Sequence, residues 1–218
     1  MPDASVTVVL PCLNEAASLP GVLAAIPAGY RVLVVDNNST DGTAELARRH
    51  GADVVVETRP GYGSAVHAGV RAATTPIVAV LDADGSLDPA ALPLLVAELD
   101  RGADLVTGRR RPVRGLRWPW HARLGTAVVS WRLRTRYGLP VHDIAPMRVA
   151  RREPLLNLGV QDRRSGYPVE LLLRAAAAGW RVIERDVGYG PRTGGKSKVS
   201  GSLRGSVVAA LDFWRAIS

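Results

Sequence analysis

This 218-residue sequence has one cysteine, Cys12, so no disulfide can form within the chain. No apolar run approaches the ~18 residues that cross a bilayer, and no basic and apolar leader precedes the first strand pattern. These absences argue against a disulfide-stabilised secreted scaffold and against a membrane-spanning chain. We therefore expect a single domain over residues 1–218 in the cytoplasm.

Acidic residues are missing from one long stretch, because none lies between Asp104 and Asp143. The same stretch holds nine arginines and three tryptophans. Residues 1–104 have six arginines and thirteen acids, whereas residues 105–218 have twenty arginines, two lysines and seven acids. A basic half of this kind attracts an anionic partner, either nucleic acid or a membrane surface whose headgroup boundary suits Trp and Arg. A merely solvated basic face is the third interpretation.

Lysine is nearly absent, and both copies fall in the segment Gly194-Gly195-Lys196-Ser197-Lys198. A lysine ammonium acts as a mobile point charge for phosphate, whereas arginine binds with a planar fork. The placement of both lysines in one glycine-rich segment indicates a phosphate-binding loop.

Apolar runs predict strands that alternate with helices along the first half of the chain. Strands are predicted near residues 6–10, 31–35, 53–56, 77–81 and 104–107. A helix is predicted after each of the first four strands, over about 16–26, 41–50, 64–73 and 88–100. This alternation indicates an α/β fold with a mostly parallel sheet and helices on both faces. After Gly108 the rhythm breaks, and we predict a helix at about 121–137, a strand near 144–149, a helix over 168–178, a strand over 181–187 and an amphipathic helix over 202–218.

Two carboxylates, Asp82 and Asp84, follow the buried strand pattern at 77–81. They should lie at the carboxyl end of that strand, where open α/β sheets bind their ligands. Carboxylates two residues apart can share one Mg²⁺ or Mn²⁺ ion and leave positions open for diphosphate oxygens. A solvated turn is the alternative for an isolated Asp-x-Asp.

Two further polar loops should reach the same edge of the sheet. Asn14-Glu15 follows the first strand and Asp36-Asn37-Asn38 follows the second. A carboxylate at Asp36 could accept a hydrogen bond from a nucleobase N–H or a ribose hydroxyl. No Walker loop is present, and Gly61-Tyr62-Gly63 lacks the third glycine of a dinucleotide fingerprint. We therefore expect a nucleotide to be held by carboxylates and a cation.

Three segments together resemble the signatures of the family-two, GT-A type glycosyltransferases: Leu10 to Glu15, Val34 to Thr43 and Leu81 to Asp84. Within that group the chain is most similar to the dolichyl- and polyprenyl-phosphate sugar synthases. Further matches are Arg59 to Gly63, Asp143 with Arg148, and Arg192 to Lys198.

The resemblance implies the following residue roles. The nucleotide would be bound by Pro11, Asn14, Glu15, Asp36, Asn38, Gly61 and Asp82. The metal would be bound by Asp82 and Asp84. The acceptor or a phosphate would be bound by Arg148, Arg192, Lys196, Ser197 and Lys198. The catalytic candidates are Asp84, Asp143 and Glu170. Relatives often carry an amide side chain as an extra metal contact where this chain has Ser86, so the chain departs from the family's pattern at that position.

The resemblance implies inverting transfer of a hexose from a UDP- or GDP-sugar to a polyprenyl-phosphate acceptor. A phosphate acceptor is already anionic, whereas a hydroxyl acceptor would need a base, and then Asp143 or Glu170 becomes essential. An ion pair with Arg174 is the other interpretation of Glu170. Membrane contact would be peripheral or through a membrane-protein partner. A homodimer is a further option for the assembly of the protein. No nucleic-acid partner is expected.

Two interpretations come from other classes of protein. The segment from Asp82 to Ser86 also resembles the nucleophile loop of aspartate-dependent phosphatases, but that loop normally ends the first strand of its sheet. A non-catalytic nucleotide- or nucleic-acid-binding protein is the other, although the basic half has no helix-turn-helix, zinc-finger or aromatic ribonucleoprotein signature.

Overall fold

A computed structural model describes residues 5–113, 116, 120–144 and 146–194 of the protein. The predicted helix over 202–218 lies outside these described residues. Seven strands form one sheet: β1 (Val6–Cys12), β2 (Arg31–Asp36), β3 (Asp53–Val56), β4 (Ile77–Val80), β5 (Leu105–Pro112), β6 (Met147–Arg151) and β7 (Val182–Tyr189). The helices are α1 (Leu19–Ala25), α2 (Thr43–Arg49), α3 (Tyr62–Ala72), α4 (Leu92–Asp100), α5 (Trp120–Tyr137), α6 (Arg152–Asn157) and α7 (Tyr167–Ala177).

The strand order in the sheet is β3-β2-β1-β4-β6-β5-β7. All neighbouring strands are parallel except β6, which runs antiparallel to both β4 and β5. The prediction of an α/β fold with a mostly parallel sheet is therefore confirmed. Because β1, β2 and β4 are adjacent and parallel, their carboxyl ends meet at one edge, as the sequence predicts.

Two apolar clusters lie on opposite faces of the sheet. On β1 the side chain of Val9 enters one cluster, with α3 and α7, while Val8 and Leu10 enter the other, with α1, α2 and α4. This alternation follows from the two-residue period of a strand, and both sides of β1 are fully buried. A strand covered on both faces reads as a continuous apolar run, which is why β1 and β4 were recognisable in the sequence.

The structure corrects three boundaries. The first helix begins at Leu19 rather than at residue 16, because Glu15 to Ser18 form turns in which the carbonyl of Glu15 accepts from Ser18 and Leu19. Strand β5 continues through Gly108 to Pro112, since it pairs with β7 along its whole length. Strand β6 begins later than predicted, and helix α6, which follows it directly, was not predicted.

Candidate active site

Loop contacts tie the ends of β1 and β2 together. Asn14 lies in the left-handed region, with φ of 56°, and its Oδ1 accepts from the backbone N–H of Thr40 at 2.7 Å. The Asn14 N–H donates to Ser39 Oγ at 3.0 Å, and the Glu15 N–H donates to Thr43 Oγ1 at 3.0 Å. Asn14 therefore fixes the relative position of two loops, which were predicted from the sequence to be neighbours.

Asp36 ends β2 and lies between the ends of β1 and β3, in register with Cys12 and Val56. It is 7% exposed, and its Oδ1 is buried with no hydrogen-bond partner among the described residues. Pro11 is the neighbour of Val35 in the same register. An unsatisfied buried carboxylate oxygen is costly, so it marks a place where a ligand can donate a hydrogen bond.

Asn37 organises the loop beside Asp36, and it was not among the predicted site residues. Its Nδ2 donates to the carbonyls of Glu57 at 2.7 Å and Arg59 at 2.9 Å, while its Oδ1 accepts from the Gly61 N–H at 2.9 Å. The adjacent Asn38 donates to the Thr58 carbonyl at 3.2 Å. A side-chain amide can donate and accept at once, which suits it to this bridging position.

Close packing against the backbone of Arg163 requires glycine at position 61. Its φ is 132°, and a Cβ there would meet the carbonyl oxygen of Arg163 at 2.2 Å. The carbonyls of Arg163 and Arg164 accept from the first N–H groups of α3, at Ser64 and Gly63. The structure thus explains this glycine by close packing of two loops, and its contact with a nucleotide remains a prediction.

The acid pair lies directly after β4, at the shared edge. Burial raises the pKa of Asp82 to about 6, with a further contribution from the charge of Asp84, and the charges of Arg148, Arg110 and Arg192 act in the opposite direction. Asp84 is buried, and its Oδ1 accepts from the Ser86 N–H at 2.8 Å. Two hard oxygen donors that repel each other fit a divalent cation, which would relieve that repulsion.

A metal at this pair would draw on few protein ligands. Among the described residues no group of three or more His, Cys, Asp or Glu side chains is arranged to hold an ion. The remaining positions would go to diphosphate oxygens and water, as is usual for Mg²⁺. The donor set therefore agrees with the Mg²⁺ or Mn²⁺ that the sequence predicts.

Three arginines from different elements act electrostatically on the acid pair, and one of them contacts it. Arg148 on β6 is 5% exposed and donates to the Tyr62 hydroxyl at 3.2 Å. Arg110 extends from β5, and Arg192 follows β7, with its Nη2 2.9 Å from Asp84 Oδ2. Arg148 and Arg192 were predicted from sequence, whereas Arg110 was not singled out among the nine arginines of its stretch.

The segment 189–194 lies along the acid pair. The Gly190 N–H donates to the Ser86 carbonyl at 2.8 Å, and the Thr193 N–H donates to the Asp84 carbonyl at 3.0 Å. A Cβ at Gly85 would meet Thr193 Oγ1 at 2.1 Å. Gly85 therefore permits this segment to bring Arg192 against Asp84. Lys196, Ser197 and Lys198 lie outside the described residues.

Asp143 is held by Arg110. Its Oδ2 accepts from Arg110 Nε at 2.8 Å and from the Arg110 N–H at 2.9 Å, and its Oδ1 accepts from Arg110 Nη2 at 2.7 Å. The Asp143 N–H donates to Glu184 Oε1 at 3.1 Å. Asp143 is 2% exposed, so this bidentate pair is largely removed from water.

Glu170 stabilises the loop that packs on Gly61. Its Oε1 accepts from the Gln161 N–H at 2.9 Å and from Arg174 Nε at 2.5 Å, and its Oε2 accepts from the Asp162 N–H at 2.6 Å. Although burial opposes it, these hydrogen bonds lower the pKa of Glu170. The structure contains the ion pair with Arg174 that the sequence left open, and a catalytic role for Glu170 remains a prediction.

No helix within the described ranges combines the length and the apolar character that a bilayer span needs.

Comparisons with known proteins agree with this geometry. A family model described as Glycosyl transferase family 2 matches residues 7–159. The chain is 81% identical to an uncharacterized glycosyltransferase of Mycobacterium tuberculosis, over 98% of both chains. It is 33% identical to an undecaprenyl-phosphate mannosyltransferase of Micrococcus luteus, over 96% of this chain and 93% of that one. It is 34% identical to a polyprenol monophosphomannose synthase of Mycolicibacterium smegmatis, over 92% and 83%.

Among solved structures, the fold matches glucosyl-3-phosphoglycerate synthase from Mycobacterium tuberculosis in complex with Mn²⁺, UDP and glucosyl-3-phosphoglycerate. The TM-score is 0.80 at 23% identity, over 98% of this chain and 78% of that one.

Proposed function

Because the chain belongs to glycosyl transferase family 2, we propose that this glycosyltransferase moves a hexose from a UDP- or GDP-sugar to a polyprenyl phosphate, with inversion at the sugar carbon. The observation that carries the proposal is the contact of Arg192 Nη2 with Asp84 Oδ2 at 2.9 Å, in the acid pair that follows β4, where the charges of Arg110 and Arg148 also act on Asp82. This much positive charge beside two carboxylates suits a reaction in which anionic groups meet.

The donor half of the proposal rests on Asp36 and the acid pair. The buried Oδ1 of Asp36 would accept from the imino N–H of a uracil or guanine base. Asp82 and Asp84 would hold Mg²⁺ or Mn²⁺, which when bound would neutralise charge on the donor's diphosphate. Arg192, at 2.9 Å from Asp84, is placed to add positive charge to the same phosphates.

The acceptor half of the proposal rests on the contacts of Asp143. Both of its oxygens accept from the Arg110 guanidinium, so Asp143 is engaged in a bidentate ion pair instead of being available as a base toward an acceptor. A hydroxyl acceptor would require such a base, whereas a phosphate monoester is already anionic near neutral pH. The arrangement therefore favours the phosphate acceptor, in agreement with the polyprenyl-phosphate relatives named above.

The experiment compares two acceptors with the same hydrocarbon chain. Purified protein would be incubated with UDP-glucose or GDP-mannose, with Mn²⁺ or with a chelator, and with either polyprenyl phosphate or the corresponding polyprenol. We expect metal-dependent product with the phosphate and none with the alcohol, and no product from the Asp82→Asn variant. Transfer to polyprenol alone would refute the phosphate acceptor.

Donor binding would be measured separately, by the thermal shift that each nucleotide sugar and its free diphosphate produce with and without Mn²⁺. A metal-dependent shift with no transfer to either lipid would confirm the donor site and reject the acceptor. A product that keeps the donor's anomeric configuration, determined by NMR, would refute inversion.

A further inference from the structure

Helix α5 has two apolar faces, and one of them is exposed to solvent. Val129 and Leu133 point into the core and are buried. On the opposite side Leu124, Val128 and Trp131 are 56%, 46% and 58% exposed. Their spacing of four and three residues places these three on a single helical stripe. We call Leu124, Val128 and Trp131 the outer stripe.

Arginines flank the outer stripe on both sides. At 100° per residue, Arg123 and Arg134 fall on one flank of the helix and Arg132 and Arg136 on the other. Arg123 and Arg136 are exposed, whereas Arg132 and Arg134 are half-buried, and Arg134 donates to the Val141 carbonyl at 3.0 Å. No acid occurs in the sequence between Asp104 and Asp143, so α5 itself carries only positive charge.

We propose that the outer stripe and its flanking arginines dock this protein on the surface of an anionic lipid bilayer. An apolar stripe with tryptophan between two rows of arginine is the pattern of a helix that lies in the plane of a membrane interface. The apolar side chains enter the boundary between headgroups and acyl chains, and the arginines meet lipid phosphates at its level. A protein partner, in contrast to a bilayer, would need an apolar surface with acidic residues on both sides of it.

The docking face is connected to the candidate active site. The chain enters α5 from β5, which carries Arg110, and Arg134 holds the carbonyl of Val141 two residues before Asp143. The inference itself rests on the exposure and charge of α5, and it holds whether or not the proposed acceptor is correct.

Vesicle flotation tests the proposal with the whole protein. Wild-type protein would be mixed with vesicles of phosphatidylcholine alone or of phosphatidylcholine with phosphatidylglycerol. We expect flotation with the anionic vesicles, weakened by salt, and little with the neutral ones. The triple variant Leu124→Ser/Val128→Ser/Trp131→Ser should lose about tenfold or more in apparent affinity. Each of Arg123→Gln and Arg136→Gln should lose about fivefold.

Matched control variants distinguish an effect of the outer stripe from a general effect of replacing exposed side chains. Leu94→Ser removes an equally exposed leucine from α4, and Arg49→Gln removes an exposed arginine from α2. Both controls should float like the wild type, and thermal melting should show that every variant is folded. Equal flotation of the triple variant and the wild type, or absence of wild-type binding to anionic vesicles, overturns the proposal.

A fluorescent dye attached to the outer stripe can show directly what covers this face. Cys12 is buried, so a Val128→Cys variant can be labelled selectively with an environment-sensitive dye. A blue shift that requires anionic vesicles supports membrane docking. A blue shift that occurs without vesicles and grows with protein concentration would assign the face to a second copy of the chain. A dye emission that is blue-shifted without vesicles at every protein concentration would show that the chain's own residues cover the face. Either result overturns the proposal.

The readouts also distinguish this inference from the proposed function. Flotation without transfer to polyprenyl phosphate would keep the docking face and reject the acceptor. Transfer to a detergent-solubilised acceptor, with no vesicle binding, would keep the acceptor and reject the docking face.

Discussion

Arg192 Nη2 lies 2.9 Å from Asp84 Oδ2, so a guanidinium occupies one oxygen of the acid pair proposed to bind metal. This contact places a positive charge in competition with a cation at the same carboxylates. At the same time it positions that charge where a donor diphosphate would lie.

Replacing Arg192 should affect metal binding and transfer in opposite directions. In Arg192→Met the loss of the positive charge should tighten Mn²⁺ binding about three- to tenfold in the absence of nucleotide, because the repulsion at short range is removed. Transfer should fall, since the departing diphosphate loses a stabilising charge. Mn²⁺ titration and steady-state kinetics would measure the two effects. Arg192→Lys, which keeps the charge, should leave Mn²⁺ affinity near that of the wild type; equal tightening in both variants would contradict this account.

Asp36 should matter for nucleotide binding more than for stability. Its Oδ1 is buried without a hydrogen-bond partner among the described residues, so Asp36→Asn breaks no hydrogen bond of that atom within this part of the chain. We expect about 10- to 100-fold weaker binding of the cognate nucleoside diphosphate, the cost of a hydrogen bond to a charged acceptor. Calorimetric titration and thermal melting of the free protein would measure this. Asp53→Asn, at an exposed acid of β3, is the control. A stability loss without weaker nucleotide binding would show that Asp36 acts only in the fold.

Gly85 should be intolerant of a side chain for a steric reason that another glycine does not share. Both Gly85 and Gly42 have positive φ, 74° and 80°, but a Cβ at Gly42 would meet nothing within 4 Å. Gly42→Ala should therefore cost only the left-handed backbone penalty, about 1 kcal/mol. Gly85→Ala adds the clash with Thr193 and should cost about 2–4 kcal/mol in unfolding free energy.

Chemical denaturation would compare the two glycine variants, and donor binding should weaken only in Gly85→Ala, because displacing segment 189–194 moves Arg192. Equal losses in both variants would show that the contact with Thr193 is unimportant.

Glu170 should stabilise the protein in a pH-dependent way. Its pKa lies below the usual 4.5 in the folded protein, so its stabilising contribution is fully present above about pH 4.5 and is lost as the pH falls through the lowered value. Glu170→Gln should lower the unfolding free energy by about 1–2 kcal/mol at pH 7, and the difference should shrink below pH 4.5.

Denaturation of wild type and Glu170→Gln at several pH values would measure this difference. Glu45→Gln, which removes an exposed partner 3.9 Å from Arg48, should change little at any pH. If Glu170→Gln instead abolished transfer while leaving stability unchanged, the predicted catalytic role would be supported over the structural one.

Much of the donor side could be predicted from sequence because it depends on local pattern and on one topological rule. Apolar runs mark β1, β2 and β4, and polar residues follow each run directly. Once the strands are parallel neighbours, their ends must meet, so Asn14, Asp36 and Asp82 are brought to one edge.

The contacts that complete the site depend on residues distant in sequence. Nothing local distinguishes Arg110 from the other arginines of its stretch, yet it alone among the described arginines binds both oxygens of Asp143. Asn37 and Asn38 are adjacent and chemically identical, but only the Asn37 amide is buried in the structure, where it donates to the carbonyls of Glu57 and Arg59. These choices are made when separate loops pack together.

The sequence by itself determined the fold class and the edge of the sheet at which the acid pair lies, because strand periodicity and the carboxyl-end rule are local properties. Only the tertiary structure decided that β6 runs antiparallel, that Arg192 reaches Asp84, that Glu170 holds a loop, and that α5 turns an apolar stripe outward. Each of these depends on which surfaces remain uncovered after the chain has packed, and no window of sequence contains that information.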